Sequence, residues 1–217
     1  MTVAIAVEAG PVRLAGDLSV PEDAGAIVVF AHGSGSSRLS PRNRAVADAL
    51  NADGLATLLF DLLTPEEERR RANVFDVELL AERLAGATTW LRTRPEAGEL
   101  PVGYFGASTG AAAALWAAAG SGSRIGAVVS RGGRPDLAMP RLGEVVAPTL
   151  LVVGGRDPQV LEWNEQARAR LRCENELVVV PGATHLFEEP GALEQVIELA
   201  RRWFRRHLVA ASARPGQ

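Results

Sequence analysis

Three short runs in this chain are apolar at every position: Ile27 to Phe30, Leu150 to Val153 and Leu177 to Val180. A strand with one wet face alternates apolar and polar residues, whereas a strand covered on both faces does not. Such covering is the habit of parallel sheets flanked by helices. Between these runs the apolar positions recur at helical spacing. The pattern predicts strands at 2–7, 12–19, 26–31, 55–60, 102–105, 126–130, 149–154 and 177–181, and helices over 42–53, 76–94, 109–119, 159–172 and 191–210. The first two strands alternate and are joined by Ala9-Gly10-Pro11, as in an antiparallel hairpin. The expected architecture is α/β, an eight-stranded, mostly parallel, doubly wound sheet whose ligands bind at the carboxyl ends of the strands.

With 217 residues, 47% of them hydrophobic, the chain can bury one substantial core, and a single domain over 1–217 with a tail of about seven residues is expected. A net charge of -3 gives no broad attraction to nucleic acid or an acidic membrane. No apolar run approaches the roughly 20 residues needed to span a bilayer. Met1 to Val7 lacks the basic and long apolar regions of a secretion signal, so the expected location is cytoplasmic. The single cysteine, Cys173, cannot form an internal disulfide and has no metal-ligand spacing around it. All 23 basic residues are arginine, which excludes Schiff-base, pyridoxal-phosphate and P-loop chemistry, all of which need lysine. No cofactor and no metal are expected.

Ser108 lies in Gly106-Ala107-Ser108-Thr109-Gly110, directly after the apolar run Val102 to Phe105 and directly before the alanine-rich stretch Ala111 to Ala119. A serine at a strand-to-helix junction is forced into a strained conformation that exposes its hydroxyl, and small neighbours are needed around it. The plainer alternative is a helix N-cap. Asp157 and His185 follow, each just past its own apolar run. Asp136, after the sixth strand, competes with Asp157 as the acid. His207 shares the apolar face of the last helix with Ala200, Trp203 and Phe204 and reads as core.

Four motifs at strand ends act together: His32-Gly33-Ser34-Gly35, Gly106 to Gly110, Gly154-Gly155-Arg156-Asp157 and Gly182-Ala183-Thr184-His185. With them the chain resembles the α/β-hydrolase superfamily, and within it the small, lidless branch similar to dienelactone hydrolase. It departs from that branch in one residue. Dienelactone hydrolases proper use a cysteine nucleophile, and serine at this elbow points to ordinary ester chemistry.

The resemblance implies a serine hydrolase acting on a small-molecule ester. Ser108 is then the nucleophile, His185 the general base and Asp157 the acid that orients it. The oxyanion hole takes the backbone N–H of Thr109 and one from the loop after the third strand, Ser34 or alternatively Gly35. His32 holds that loop, and Gly106 and Gly110 support the elbow. Thioester and lactone hydrolysis remain open, as does a non-catalytic binding module on the same fold.

Arg38 and Arg131, near strand ends, are candidates for holding a substrate carboxylate; the alternative is an ion pair with Asp61 or Asp136. The run Glu66 to Arg71 reads as a solvated helical turn. Residues 131–148 are too few to hold a helical cap, so an open site is expected.

Overall fold

The structure, a computed structural model, describes residues 2–120 and 124–209. Its strands are β1 (Thr2–Ala9), β2 (Val12–Ser19), β3 (Ile27–Ala31), β4 (Ala56–Phe60), β5 (Val102–Ala107), β6 (Ile125–Arg131), β7 (Thr149–Gly154) and β8 (Asn175–Val180). They form one sheet in the order β1-β2-β4-β3-β5-β6-β7-β8. β1 and β2 are the expected hairpin and β2 also runs antiparallel to β4, while every pair from β4 to β8 is parallel. The parallel strands therefore all deliver their carboxyl ends to one edge.

The helices are α1 (Pro41–Ala52), α2 (Pro65–Glu68), α3 (Arg71–Val74), α4 (Val77–Leu91), α5 (Thr109–Ala118), α6 (Pro158–Arg170) and α7 (Ala192–Phe204), the last continuing as a π-helical turn, Arg205–Val209. One face of the sheet is covered by α1 and α7, through Val46, Leu50, Val196, Ala200 and Phe204. The other is covered by α4, α5 and α6, through Leu80, Leu84, Leu115 and Ala167. Strands β3, β4, β5 and β7 are buried at every residue, which is why their sequences do not alternate. Helix α5 is buried on nearly all sides, and its alanines let its backbone lie close on the sheet behind the elbow.

One expectation is corrected. The run Leu177 to Val180 is not buried on both faces, because β8 is the sheet's edge strand and only Val180 within it is fully buried, with Val179 40% exposed. The charged run 66–71 also does more than sit in water. Thr64 and Glu67 form a capping box at the start of α2, and Glu67 pairs at 2.7 Å with Arg83, which is buried on α4. The tail expected at the end of the chain lies outside the described residues, as does residue 210.

Between β6 and β7 the chain makes only two short 3-10 turns, Pro135–Ala138 and Leu142–Glu144, so no cap domain covers the carboxyl edge. Among the described residues no helix is long and apolar enough to cross a membrane.

Candidate active site

Ser108 joins β5 to α5 at φ 51° and ψ -120°, a conformation L-residues rarely adopt. It is held there by its own backbone. The Ser108 N–H donates to the carbonyl of Arg131 at 3.2 Å, and the Ser108 carbonyl accepts from the N–H groups of Ala111 and Arg134 at 3.1 and 3.0 Å. Its side chain makes no helix-capping bond, which removes the N-cap alternative.

His185 brings the three predicted residues together. Its Nδ1 lies 2.7 Å from Asp157 Oδ2 and its Nε2 lies 3.3 Å from Ser108 Oγ. With Nδ1–H donating to the carboxylate, Nε2 carries the lone pair that accepts the serine hydroxyl. Asp157 occupies the N-cap position of α6, yet its carboxylate caps nothing there. An aspartate at that position ordinarily binds the helix N–H groups, so its turn toward the histidine ring sets it apart. Asp136 is occupied elsewhere, in a two-bond pair with Arg134 at 2.8 Å for both bonds. The His185 loop is closed by Glu189, whose carboxylate accepts the Thr184 N–H at 3.0 Å. Nothing in the residue pattern distinguishes Glu189 from a solvated glutamate, so this brace was not foreseen.

The loop after β3 is fixed by His32. Its Nδ1 lies 3.0 Å from the Gly33 carbonyl, and its Nε2 accepts the N–H of Leu62, beyond β4, at 3.0 Å. These bonds require the neutral, Nδ1-protonated ring. Loss of ring hydration pulls the His32 pKa below its ordinary 6.5, outweighing the Gly33 bond and the nearby Asp61 and Glu68 charges. The unfolded chain therefore takes up a proton near pH 6.5 that the folded chain refuses, so stability present above that pH is lost as pH falls. For one proton the limiting slope is about 1.4 kcal/mol per pH unit. Urea unfolding at pH 7.5 and 5.5 should show this loss, and His32→Gln should reduce it. A residual slope is expected from His207, whose pKa burial also lowers. An equal acid loss in wild type and His32→Gln would contradict the assignment.

The placement of the loop N–H groups corrects the preferred second oxyanion donor. The Ser34 N–H is already committed, donating to the Thr109 hydroxyl at 2.8 Å. Gly35 follows at φ 68° in the turn closed by Ser36 N–H to the Gly33 carbonyl. Among the described residues no acceptor takes the N–H of Gly35 or of Thr109, which leaves these two as the available donors.

Arg38 is also corrected. Its guanidinium pairs with Asp61 at 2.7 Å and lies 3.7 Å from Asp17, and its backbone N–H donates to Asp61 at 2.8 Å. It lines no cavity with Ser108, so it braces the loop and is not a substrate clamp. Arg131 differs. It is 7% exposed, lies in the wall of the same cleft as Ser108 and His185, and has no carboxylate partner among the described residues.

Two cavities meet at the Gly33–Ser37 loop. A polar cleft of about 740 Å³ contains Ser108, His185, Arg131 and Arg42. A smaller space of about 90 Å³, which shares that loop and is also lined by Thr109, is walled by Leu62, Leu63, Val74 and Leu80. Leu39 and Leu186, 49% and 41% exposed, flank the mouth of the polar cleft. His207 packs against Trp203 with ring centroids 4.4 Å apart and planes tilted by 52°.

The fold has close counterparts. A dienelactone hydrolase of Anabaena variabilis superimposes with a TM-score of 0.92 at 56% identity, covering 96% of this chain and 98% of its own. Est1E of Butyrivibrio proteoclasticus shares the fold at a TM-score of 0.80 and 16% identity, over 94% of this chain and 98% of its own. A Mycobacterium tuberculosis protein provisionally named a phosphoribosyl transferase is 67% identical over 204 residues, 94% of this chain but 46% of that protein. The chain thus spans about half the length of that curated relative. No family model matches. At 56% identity across nearly the whole of both chains, the Anabaena protein places this chain in the dienelactone hydrolase family of α/β-hydrolases.

Proposed function

We propose that the chain is a serine hydrolase cleaving a carboxylic ester, with Ser108 as nucleophile, His185 as general base and Asp157 as its orienting acid. The observation that carries this reading is the unbroken sequence of bonds from Asp157 to His185 to Ser108, ending on the strained elbow. A serine hydroxyl is unreactive at neutral pH unless a base takes its proton as the C–O bond forms. His185 Nε2 is placed to do so, and Asp157 stabilises the imidazolium that results. The carbonyl oxygen gains negative charge in the tetrahedral intermediate and is met by the N–H groups of Thr109 and Gly35. Collapse expels the alcohol, which takes the proton back from His185. Water then repeats the sequence on the acyl-enzyme and releases the acid.

The uncapped cleft suits small acyl groups, and the apolar space beside the loop supplies a bounded place for one. An enzyme is favoured over a binding module because all three groups are present and mutually bonded. Hydrolysis of p-nitrophenyl esters of graded acyl length, alongside matching thioesters, tests the reading. Turnover that peaks at short acyl chains and falls as they outgrow the 90 Å³ space is expected. No turnover of any ester or thioester, by protein shown to be folded, would contradict it.

A further inference from the structure

The wall of the polar cleft holds a positive charge that the triad chemistry does not use. Arg131 is buried; its Nε and Nη1 are sealed from solvent with no hydrogen-bond partner, and its guanidinium lies over the Phe187 ring, 6.0 Å from the centroid. Its Nη2 reaches only Asn43 Oδ1, in the first turn of α1, at 3.5 Å. Burying an arginine whose N–H groups are unmet is costly, so such groups ordinarily face a carboxylate or another anion. Here they face none. Burial and the neighbouring Arg42 push the Arg131 pKa down to about 10, and no carboxylate acts in the other direction.

The surrounding donors are of one kind. The first turn of the twelve-residue helix α1 borders the cleft; Pro41 has no N–H and the Ser40 hydroxyl accepts that of Asn43, so the turn contributes its partial positive charge rather than a row of free donors. Arg42, in that turn, has an unpartnered Nε and is balanced only at the rim, by Glu188 at 2.9 Å, itself 63% exposed. Ser36 and Ser37 add hydroxyls. Glu68 is the other carboxylate bordering the cleft, and it also borders the apolar space.

We propose that this cleft is a subsite for a phosphate group carried by the substrate, held between Arg131, Arg42 and the first turn of α1. The substrate class is then a small phosphorylated ester, with its scissile carbonyl at Ser108 and its phosphate toward α1. A carboxylate would use two acceptor oxygens and one charge. Two guanidinium groups, the serine hydroxyls and the partial positive charge of α1 exceed that, and the three terminal oxygens and second charge of a phosphate match them better. The inference rests on the hydrolase reading for what happens at Ser108, but not for the binding itself.

Titration calorimetry of the full chain with inorganic phosphate, at ionic strength held constant with chloride, reads the subsite without catalysis. Saturable one-to-one binding is expected, at least tenfold tighter than acetate, with Arg131→Met losing tenfold or more and Arg42→Gln several-fold. Bound phosphate should also slow fluorophosphonate labelling of Ser108 competitively. Absence of phosphate binding, acetate binding as tight as phosphate, or an affinity untouched by Arg131→Met would overturn the proposal. Arg131 is buried; if Arg131→Met fails to fold, unchanged phosphate affinity in Arg42→Gln, at a partly exposed position, is the contradicting result. The two readings fail separately. Phosphate binding without labelling of Ser108 leaves the subsite and removes the hydrolase, and labelling without phosphate binding does the reverse.

Discussion

Replacing Ser108 by alanine should lower the turnover of a p-nitrophenyl ester by a factor on the order of 10⁴ or more, while the protein stays folded. The size follows from the chemistry. Without Oγ no acyl-enzyme can form, and only binding and the oxyanion donors remain to assist direct attack by water. Folding should survive because the Ser108 side chain caps no helix and its hydrogen bond is the long 3.3 Å one to His185, while the strained backbone is held by main-chain bonds that alanine keeps. KM should change much less than kcat. Steady-state kinetics with circular dichroism on the same sample checks both halves, and a loss of less than tenfold would mean that another group performs the attack.

The largest effect on stability is expected from Gly110→Val, at the second residue of α5. A Cβ there would collide with the backbone carbonyls of Ala31 and His32, at the end of β3. Neither neighbour is a flexible side chain, so relief requires α5 to move off the sheet, together with the elbow it carries. Overpacking of this kind typically costs 1 to 3 kcal/mol, and valine at a site walled by backbone should reach about 3 kcal/mol or more. Gly54→Ala, at φ 75° in an open turn with nothing near a Cβ, is the comparison. It carries backbone strain alone, about 1 to 2 kcal/mol. Urea midpoints for the two variants should therefore differ clearly, and equal midpoints would show that the helix yields easily.

The elements legible in the sequence are those whose pattern records their own environment. The uniformly apolar runs at β3 and β7 mark burial on both faces, and the alternation of β1 and β2 marks a hairpin. Ser108, Asp157 and His185 were findable because each follows a strand end, and parallel strands gather their carboxyl ends on one edge. The Leu177 to Val180 run misled because composition does not record position in the sheet, and an edge strand can be as apolar as a central one.

What stayed hidden depends on the partner of a particular atom. In the sequence Ser34 is the preferred candidate donor and Gly35 the alternative, until the Thr109 hydroxyl is seen to take the Ser34 N–H. Arg38 and Arg131 look alike as arginines near strand ends, and only the three-dimensional arrangement gives one Asp61 and leaves the other without a carboxylate. Glu189 closes the histidine loop through a backbone N–H five residues away, a bond no residue pattern announces.

The proposed function requires that Ser108 Oγ is the atom that becomes acylated. Treating the protein with a fluorophosphonate and mapping the adduct by peptide mass spectrometry tests it most directly. One adduct per chain is expected, on Ser108, and none in Ser108→Ala. An adduct on another residue, or stoichiometric labelling that survives Ser108→Ala, would contradict it.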